Sequence, residues 1–265
     1  MEQERLAEEF IRLVKIMERL RGPDGCPWDK KQDYYTLKPY IIEEAYEVVE
    51  ALQKDDLELL KEELGDLLLQ VVFESQIGKE KGDFNLIDVI KIISEKLIRR
   101  HPHVFGDEKV NTVSGVKVNW EKIKKQEKEN KGREQTSILD DVSRSQPALN
   151  QAYDIQKKAA EVGFDWDNIS DVVRKIEEEL AEVKEVIKTN EHKEIEEELG
   201  DLIFAVVNLC RFYRINPEVA LLRTILKFRD RFKYIEKRVS EEGTLLTDKT
   251  LEELDSYWEE SKTME

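Results

Sequence analysis

Apolar positions return every three or four residues along nearly the whole chain, and few stretches alternate with period two, so the pattern predicts helices and little sheet. Leu6, Phe10, Leu13, Val14, Met17 and Leu20 outline a first helix over about 3–20, which stops at the turn cluster Gly22-Pro23-Asp24-Gly25. The next pattern runs from about Leu37 to Gln53, breaks at Lys54-Asp55-Asp56 and resumes to about Gly78. A further helix over about 86–100 ends at His101-Pro102, because a proline pushes the residue before it out of helical conformation. Residues 106–115 read as a loop, and another helix begins near Asn119 and fades into the charged stretch 128–134.

The second half repeats this plan. Pro147 opens a helix over about 147–162 that ends at Gly163. Helices over about 169–189 and 191–213 follow, parted at Thr189-Asn190, and after Asn216-Pro217 come two more, over about 218–239 and 249–262. A shift of 135 residues lays Glu43, Glu44 and Glu47 on Glu178, Glu179 and Glu182, and Glu63 and Asp66 on Glu198 and Asp201. The same shift aligns Leu64-Gly65-Asp66-Leu67 with Leu199-Gly200-Asp201-Leu202. Isolated acidic matches are cheap in a chain this acidic; five at one offset, with the glycine and apolar residues between them, indicate an internal duplication. The expected fold is all-α, two tandem helical-bundle domains over 1–134 and 135–265.

Composition supports that class. Only 11 glycines and 6 prolines occur in 265 residues, too few for a turn-rich sandwich or barrel. The formal charge of −16 argues against broad binding of nucleic acid or of an anionic membrane, since a polyanion needs a basic stripe. Two distant cysteines, Cys26 and Cys210, make no disulfide framework and suit a reducing compartment. The charged N-terminus has no h-region, and the longest apolar runs, 67–73 and 202–210, fall short of the ~18 residues of a spanning helix. A cytoplasmic protein is expected.

Each half carries E-E-x-x-E and, sixteen residues after its last Glu, E-x-x-D. Residues three apart share a helix face, and a hairpin turned midway between the two motifs brings both acidic pairs to one height. Glu44, Glu47, Glu63 and Asp66 would converge in the first half, and Glu179, Glu182, Glu198 and Asp201 in the second. Flanking leucines and valines place these acids at the border of a core, where four carboxylates repel one another unless a cation neutralises them. An all-oxygen set suits Mg²⁺ or Mn²⁺. Di-iron bundles use Glu-x-x-His, but His101, His103 and His192 are preceded at that spacing by Ile98, Arg100 and Thr189.

Basic and aromatic residues recur after each acidic set. Lys96 and Arg100 stand four apart, as do Lys227 and Arg231, and such pairs can grip phosphates. Trp120 with Lys124, and Trp258 with Lys262, could cover a base or anchor a lid. There is no Gly-x-x-x-x-Gly-Lys-Ser/Thr, hence no P-loop, and no evident Ser/His/Asp or Cys/His set.

Taken in order, Cys26-Pro27-Trp28-Asp29, Glu43-Glu44-x-x-Glu47, Gly65-Asp66, Arg99-Arg100-His101-Pro102-His103-Val104-Phe105, Val162-Gly163-Phe164-Asp165-Trp166 and Glu198-Leu199-Gly200-Asp201 resemble the MazG family of all-α nucleoside triphosphate pyrophosphohydrolases. The resemblance implies Mg²⁺-dependent hydrolysis of a nucleoside triphosphate to the monophosphate and pyrophosphate, with attack at the α- or the β-phosphorus left open. It implies that the eight carboxylates above hold metal, and that Glu43 and Glu178 lie beside it to orient or deprotonate the attacking water. Nucleotide contacts would fall to Lys175, Lys227, Arg231, Trp258 and Lys262, and in the first half to Arg99, Arg100, Trp120 and Lys124. A homodimer of helical bundles is implied too. The alternative is a non-catalytic helical dimer that senses metal or nucleotide without turning it over.

Overall fold

The computed structural model describes residues 1–130 and 136–263, and every regular element among them is helical. The chain divides into two compact units, 1–134 and 135–265. The charged stretch expected to end the first half runs into residues 131–135, outside the described ones.

The first unit holds α1 (Glu2–Arg21), α2 (Pro27–Lys31), α3 (Lys38–Gln53), α4 (Leu57–Lys81), α5 (Leu86–Arg100), α6 (Pro102–Phe105) and α7 (Val113–Asn130). Helices α3 and α4 form an antiparallel hairpin, α1 and α5 pack on α4, and α7 packs on α5. Met17, Leu37, Val72, Phe73 and Ile77 make the core, each 3% exposed or less. Gly78 lets α4 run tight beneath Phe84: a Cβ there would meet the Phe84 carbonyl oxygen at 2.8 Å.

The second unit opens with a 3-10 turn (Ile138–Asp141) and continues with α8 (Ala148–Ala160), α9 (Ile169–Val186), α10 (His192–Phe212), α11 (Pro217–Glu241) and α12 (Leu251–Lys262). Helices α9 and α10 form the hairpin, α8 packs across α10 and α11, and α12 lies on α11. Val172, Val183, Ala205, Val207, Ile235 and Val239 are buried.

Both hairpins reverse at one left-handed residue, Asp55 (φ 52°) and Asn190 (φ 58°), types that tolerate this conformation. Asp55 stands eight residues from both Glu47 and Glu63, and Asn190 eight from both Glu182 and Glu198. The reversal point therefore levels the acidic pairs. Asp56 then caps α4, its carboxylate accepting from the backbone N–H groups of Glu58 (3.1 Å) and Leu59 (3.0 Å).

One boundary differs from the sequence reading. Helix α7 starts at Val113 rather than near Asn119. The Thr112 hydroxyl accepts from the Gly115 N–H at 3.1 Å, and the Thr112 carbonyl from the Val116 N–H at 3.0 Å. This cap draws Gly115, which reads as loop punctuation, into the first turn.

Candidate functional site

In the first unit Glu44, Glu47 and Glu63 each offer an oxygen within 4.8 Å of the others. Asp66, one turn beyond Glu63 on α4, adds its charge to Glu44 and Glu63. Burial raises the Glu44 carboxyl above its ordinary value, and the charges of Asp66 and Glu47 raise it further. Glu63 is raised in the same way, by desolvation and then by Glu47 and Asp66. Gln70, only 7% exposed, donates to Glu44 at 3.4 Å from the next turn of α4. Glu43 is exposed.

The second unit brings together Glu178, Glu179 and Glu182, and also Glu179, Glu198 and Asp201, again within 4.8 Å. Glu179 belongs to both groups and is only 6% exposed. Lys175, one turn earlier on α9, lies 2.5 Å from Glu178 and 2.7 Å from Glu179, and these bonds push its ammonium above the usual lysine range. Desolvation, and then Glu179, raise the Glu182 carboxyl. Each cluster thus carries carboxylates that resist ionising together, and its hard oxygen donors fit Mg²⁺ or Mn²⁺.

A cavity of about 570 Å³ adjoins the second cluster. Lys175, Glu179 and Asp201 form its acidic end, and Ile155, Phe164, Trp166 and Phe204 supply apolar walls. Its rim is the loop 163–166, clamped by Arg211 on α10. The guanidinium donates to Asp165 Oδ2 at 3.0 Å, makes a second bond to Asp165 Oδ1, and donates to Asn208 Oδ1 at 2.8 Å. That pairing holds the Asp165 carboxyl below its usual range. Left-handed Gly163 (φ 86°) lets α8 end and turn into this rim.

The first unit is built differently at the matching hairpin positions. Lys175 and Asn208 correspond, at the offset of 135, to Tyr40 and Phe73. There Trp28 packs edge-on against both rings, with centroids 5.9 Å from Tyr40 and 6.5 Å from Phe73. Aromatic packing stands where the second unit places a lysine and an amide.

The remaining candidates gather on the later helices of each unit. Arg100 lies over the Trp120 ring at 5.1 Å, and Arg231 over the Trp258 ring at 5.4 Å. In the first unit Glu127 takes up both arginines, Arg99 at 2.6 Å and Arg100 at 2.6 Å. Lys124 approaches Glu121 at 4.0 Å, Lys262 pairs with Glu259, and Lys227 is exposed on α11. The walls of the cavity come from α8, α9, α10, the rim loop and Leu139, so Arg231 and Trp258 stand outside it. Nothing in the sequence marks Gln156, Phe204, Asn208 or Arg211 as wall residues. The rim motif 162–166 was visible, but α8 carries no local mark of the element it packs against.

The MazG nucleotide pyrophosphohydrolase domain matches residues 32–105 and 168–235, spanning both acidic hairpins. The chain is 48% identical over 253 residues to the nucleoside triphosphate pyrophosphohydrolase/pyrophosphatase MazG of Thermotoga maritima, covering 96% of this chain and 95% of that protein. It is 45% identical over 260 residues to the nucleoside triphosphate pyrophosphohydrolase of Escherichia coli K12, covering 97% and 98%. A solved mazG-related protein from Thermotoga maritima is 34% identical, with 43% of this chain and 97% of that chain covered and a TM-score of 0.38. This chain belongs to the MazG family and carries two copies of its domain.

Proposed function

We propose that this protein hydrolyses nucleoside triphosphates to nucleoside monophosphate and pyrophosphate, and that the second unit carries most of the turnover. The observation that supports this best is the meeting of a carboxylate cluster, one lysine and an apolar cavity at a single place. A triphosphate needs the charged end, a nucleoside the apolar one.

Glu179, Glu182, Glu198 and Asp201 would hold Mg²⁺ there, and Glu44, Glu47, Glu63 and Asp66 in the first unit. A divalent cation so held supplies charge compensation for the triphosphate and makes a bound water more acidic. The protein's own groups do the rest. Lys175, already at the cluster edge, turns its ammonium from Glu178 and Glu179 to a phosphate oxygen. Glu178 is then freed to accept a proton from the attacking water, the role of Glu43 in the first unit. Phe204, Trp166 and Ile155 keep bulk water from the nucleoside, while Lys227, Arg231, Trp258 and Lys262, which do not line the cavity, meet the part of the substrate that extends beyond it from α11 and α12. Arg99, Arg100, Trp120 and Lys124 are their first-unit counterparts, with the two arginines already engaged by Glu127.

The working form is a homodimer. Leu64, Leu68 and Val71 on α4, and Leu199, Ile203 and Val206 on α10, are each 39% exposed or more, an apolar load that a second copy would cover. No described helix is long and apolar enough to cross a membrane, in keeping with a cytoplasmic enzyme.

A panel of nucleoside triphosphates incubated with Mg²⁺ tests the activity. Pyrophosphate in step with monophosphate is expected. Orthophosphate alone would make the protein a phosphatase, and binding without either product would make it a sensor.

A further inference from the structure

Arg211, like Lys175, is a cation that lines the cavity, yet each of its guanidinium nitrogens already has a partner. Nε donates to Asn208 Oδ1 at 2.8 Å, Nη1 to Asp165 Oδ2 at 3.0 Å, and Nη2 to Asp165 Oδ1. The pair is largely withdrawn from water, with the arginine side chain 12% exposed and the aspartate 31%. Stability alone does not account for it. Desolvating two charges costs about as much as their attraction returns, and apolar side chains would pack there as well.

The aspartate carries the restraint to the rim. Its Oδ1 also accepts the Trp166 backbone N–H at 2.8 Å, so one carboxylate ties α10 to the residue that bears the indole. On the other side of Asp165, the Phe164 N–H donates to the Ala159 carbonyl at the end of α8, at 3.1 Å. Phe164 and Trp166 are thus held from both sides. Both line the cavity although they are 82% and 40% exposed. Large aromatic rings left open at an apolar cavity are surface that a ligand covers.

The first unit lacks this device. At the offset of 135, Asp165 and Arg211 correspond to Lys30 and Gln76. Lys30 donates to the Pro23 carbonyl at 2.6 Å and Gln76 to Glu80 at 2.9 Å. The pair therefore goes with the cavity and not with the duplicated hairpin.

We infer that Asp165 and Arg211 are positioning residues, which set Phe164 and Trp166 against the nucleoside of the substrate. This deepens the activity proposed above and rests on it. Arg211 acts through Asp165 and the rim, and its charge is not spent on the triphosphate.

The test sets the preferred triphosphate beside inorganic tripolyphosphate, a competitor that carries the charges without a nucleoside. Arg211→Met and Asp165→Asn should each raise KM about tenfold or more, since a displacement of about 1 Å in a positioning group can cost about a hundredfold. The kcat and the Ki of tripolyphosphate should stay within about twofold, the ordinary spread of a neutral change. The double variant should be no worse than the more affected single one, because the two residues act as a unit. Phe164→Ser should raise KM in the same way; its position is exposed, so it carries the test if the Arg211 variant does not fold. Additive losses in the double variant, or a tripolyphosphate Ki that rises with KM, would show that Arg211 reaches the phosphates itself and overturn the inference. A fall in kcat at unchanged KM, the mark of a merely structural pair, would overturn it too. Absence of pyrophosphate from every triphosphate with the native protein would instead overturn the proposed activity.

Discussion

Lys175 Nζ lies 2.7 Å from Glu179 Oε1, so the lysine at the acidic end of the cavity is already bonded to the buried carboxylate that both groups of the cluster share. On the activity proposed above, lysine and divalent metal would compete for that oxygen, and a phosphate would draw the ammonium away. Lys175→Met should therefore tighten Mn²⁺ binding in the absence of nucleotide and lower kcat/KM for the preferred triphosphate about tenfold to a hundredfold, the range of a lost charge-assisted hydrogen bond. Titration calorimetry and steady-state kinetics read the two effects separately. A variant that loses both metal affinity and turnover would show that Lys175 only supports the fold.

The duplication allows the two acidic clusters to be weighed against each other. Glu182→Gln neutralises one carboxylate of the cluster beside the cavity, and Glu47→Gln neutralises its counterpart in the unit where Trp28, Tyr40 and Phe73 pack together. Turnover should fall about a hundredfold or more in the first variant and far less in the second, since loss of a ligand disables the metal it holds. Unchanged turnover in both would remove the carboxylates from the mechanism.

These clusters were legible in the sequence for a definite reason. Helical spacing and a turn midway between motifs set which side chains meet, and Asp55 and Asn190 turn the chain where the counting requires. The cavity was not legible, because it arises from the packing of α8 against α10 and from the Arg211–Asp165 clamp, partners 46 residues apart. Gln156 sits in Asp154-Ile155-Gln156-Lys157-Lys158, where a glutamine looks like any other polar position on an amphipathic helix. The start of α7 was missed because a threonine hydroxyl, rather than an apolar period, sets it.

Metal-free protein should lose stability as pH rises above about 4.5, the ordinary glutamate value. Glu44 and Glu63 are raised in the folded state, so that state holds more protons than the unfolded chain between the ordinary value and the raised one. Stability is full below that window and falls through it. Mg²⁺ should reverse the loss, and Glu44→Gln, which cannot ionise, should abolish its own share. Thermal melts from pH 4 to 8 in EDTA, with and without excess Mg²⁺, check both; a loss of equal size in Glu44→Gln would place its origin elsewhere.

Glu127 behaves in the opposite sense. The Arg100 and Arg99 guanidinium groups hold its carboxyl down to about 2. Its contribution is therefore complete above the ordinary value and disappears as pH falls from about 4.5 toward 2. Glu127→Gln should cost about 1–2 kcal/mol at pH 7, a discounted figure because Arg99 is half exposed. That cost should shrink steadily in denaturant melts taken at lower pH. A penalty independent of pH would mean that packing of the side chain, and not its charge, is what α5 and α7 share.

Gly65 and Gly200 stand in mid-helix beside Asp66 and Asp201, and a Cβ built on either meets no atom within 4 Å. Neither turn geometry nor crowding inside the unit calls for glycine at these sites. A mid-helix glycine also costs about 0.8–1.0 kcal/mol relative to alanine. The proposed function gives that open space two possible users, the hydrated metal with its triphosphate or the second copy of the chain. Gly200→Ala should raise stability by about 0.5–1 kcal/mol and at the same time lower kcat/KM, a trade-off expected where a site gives up stability to leave room. Gly65→Ala should stabilise by a similar amount with little effect on turnover if the second unit does the work. Denaturant melts and sedimentation alongside the kinetics separate the causes. Lost activity in a dimeric Gly200→Ala protein points to ligand approach, and lost activity with a shift to monomer points to the interface. A stabilised variant with full activity would show that the space at Gly200 serves neither.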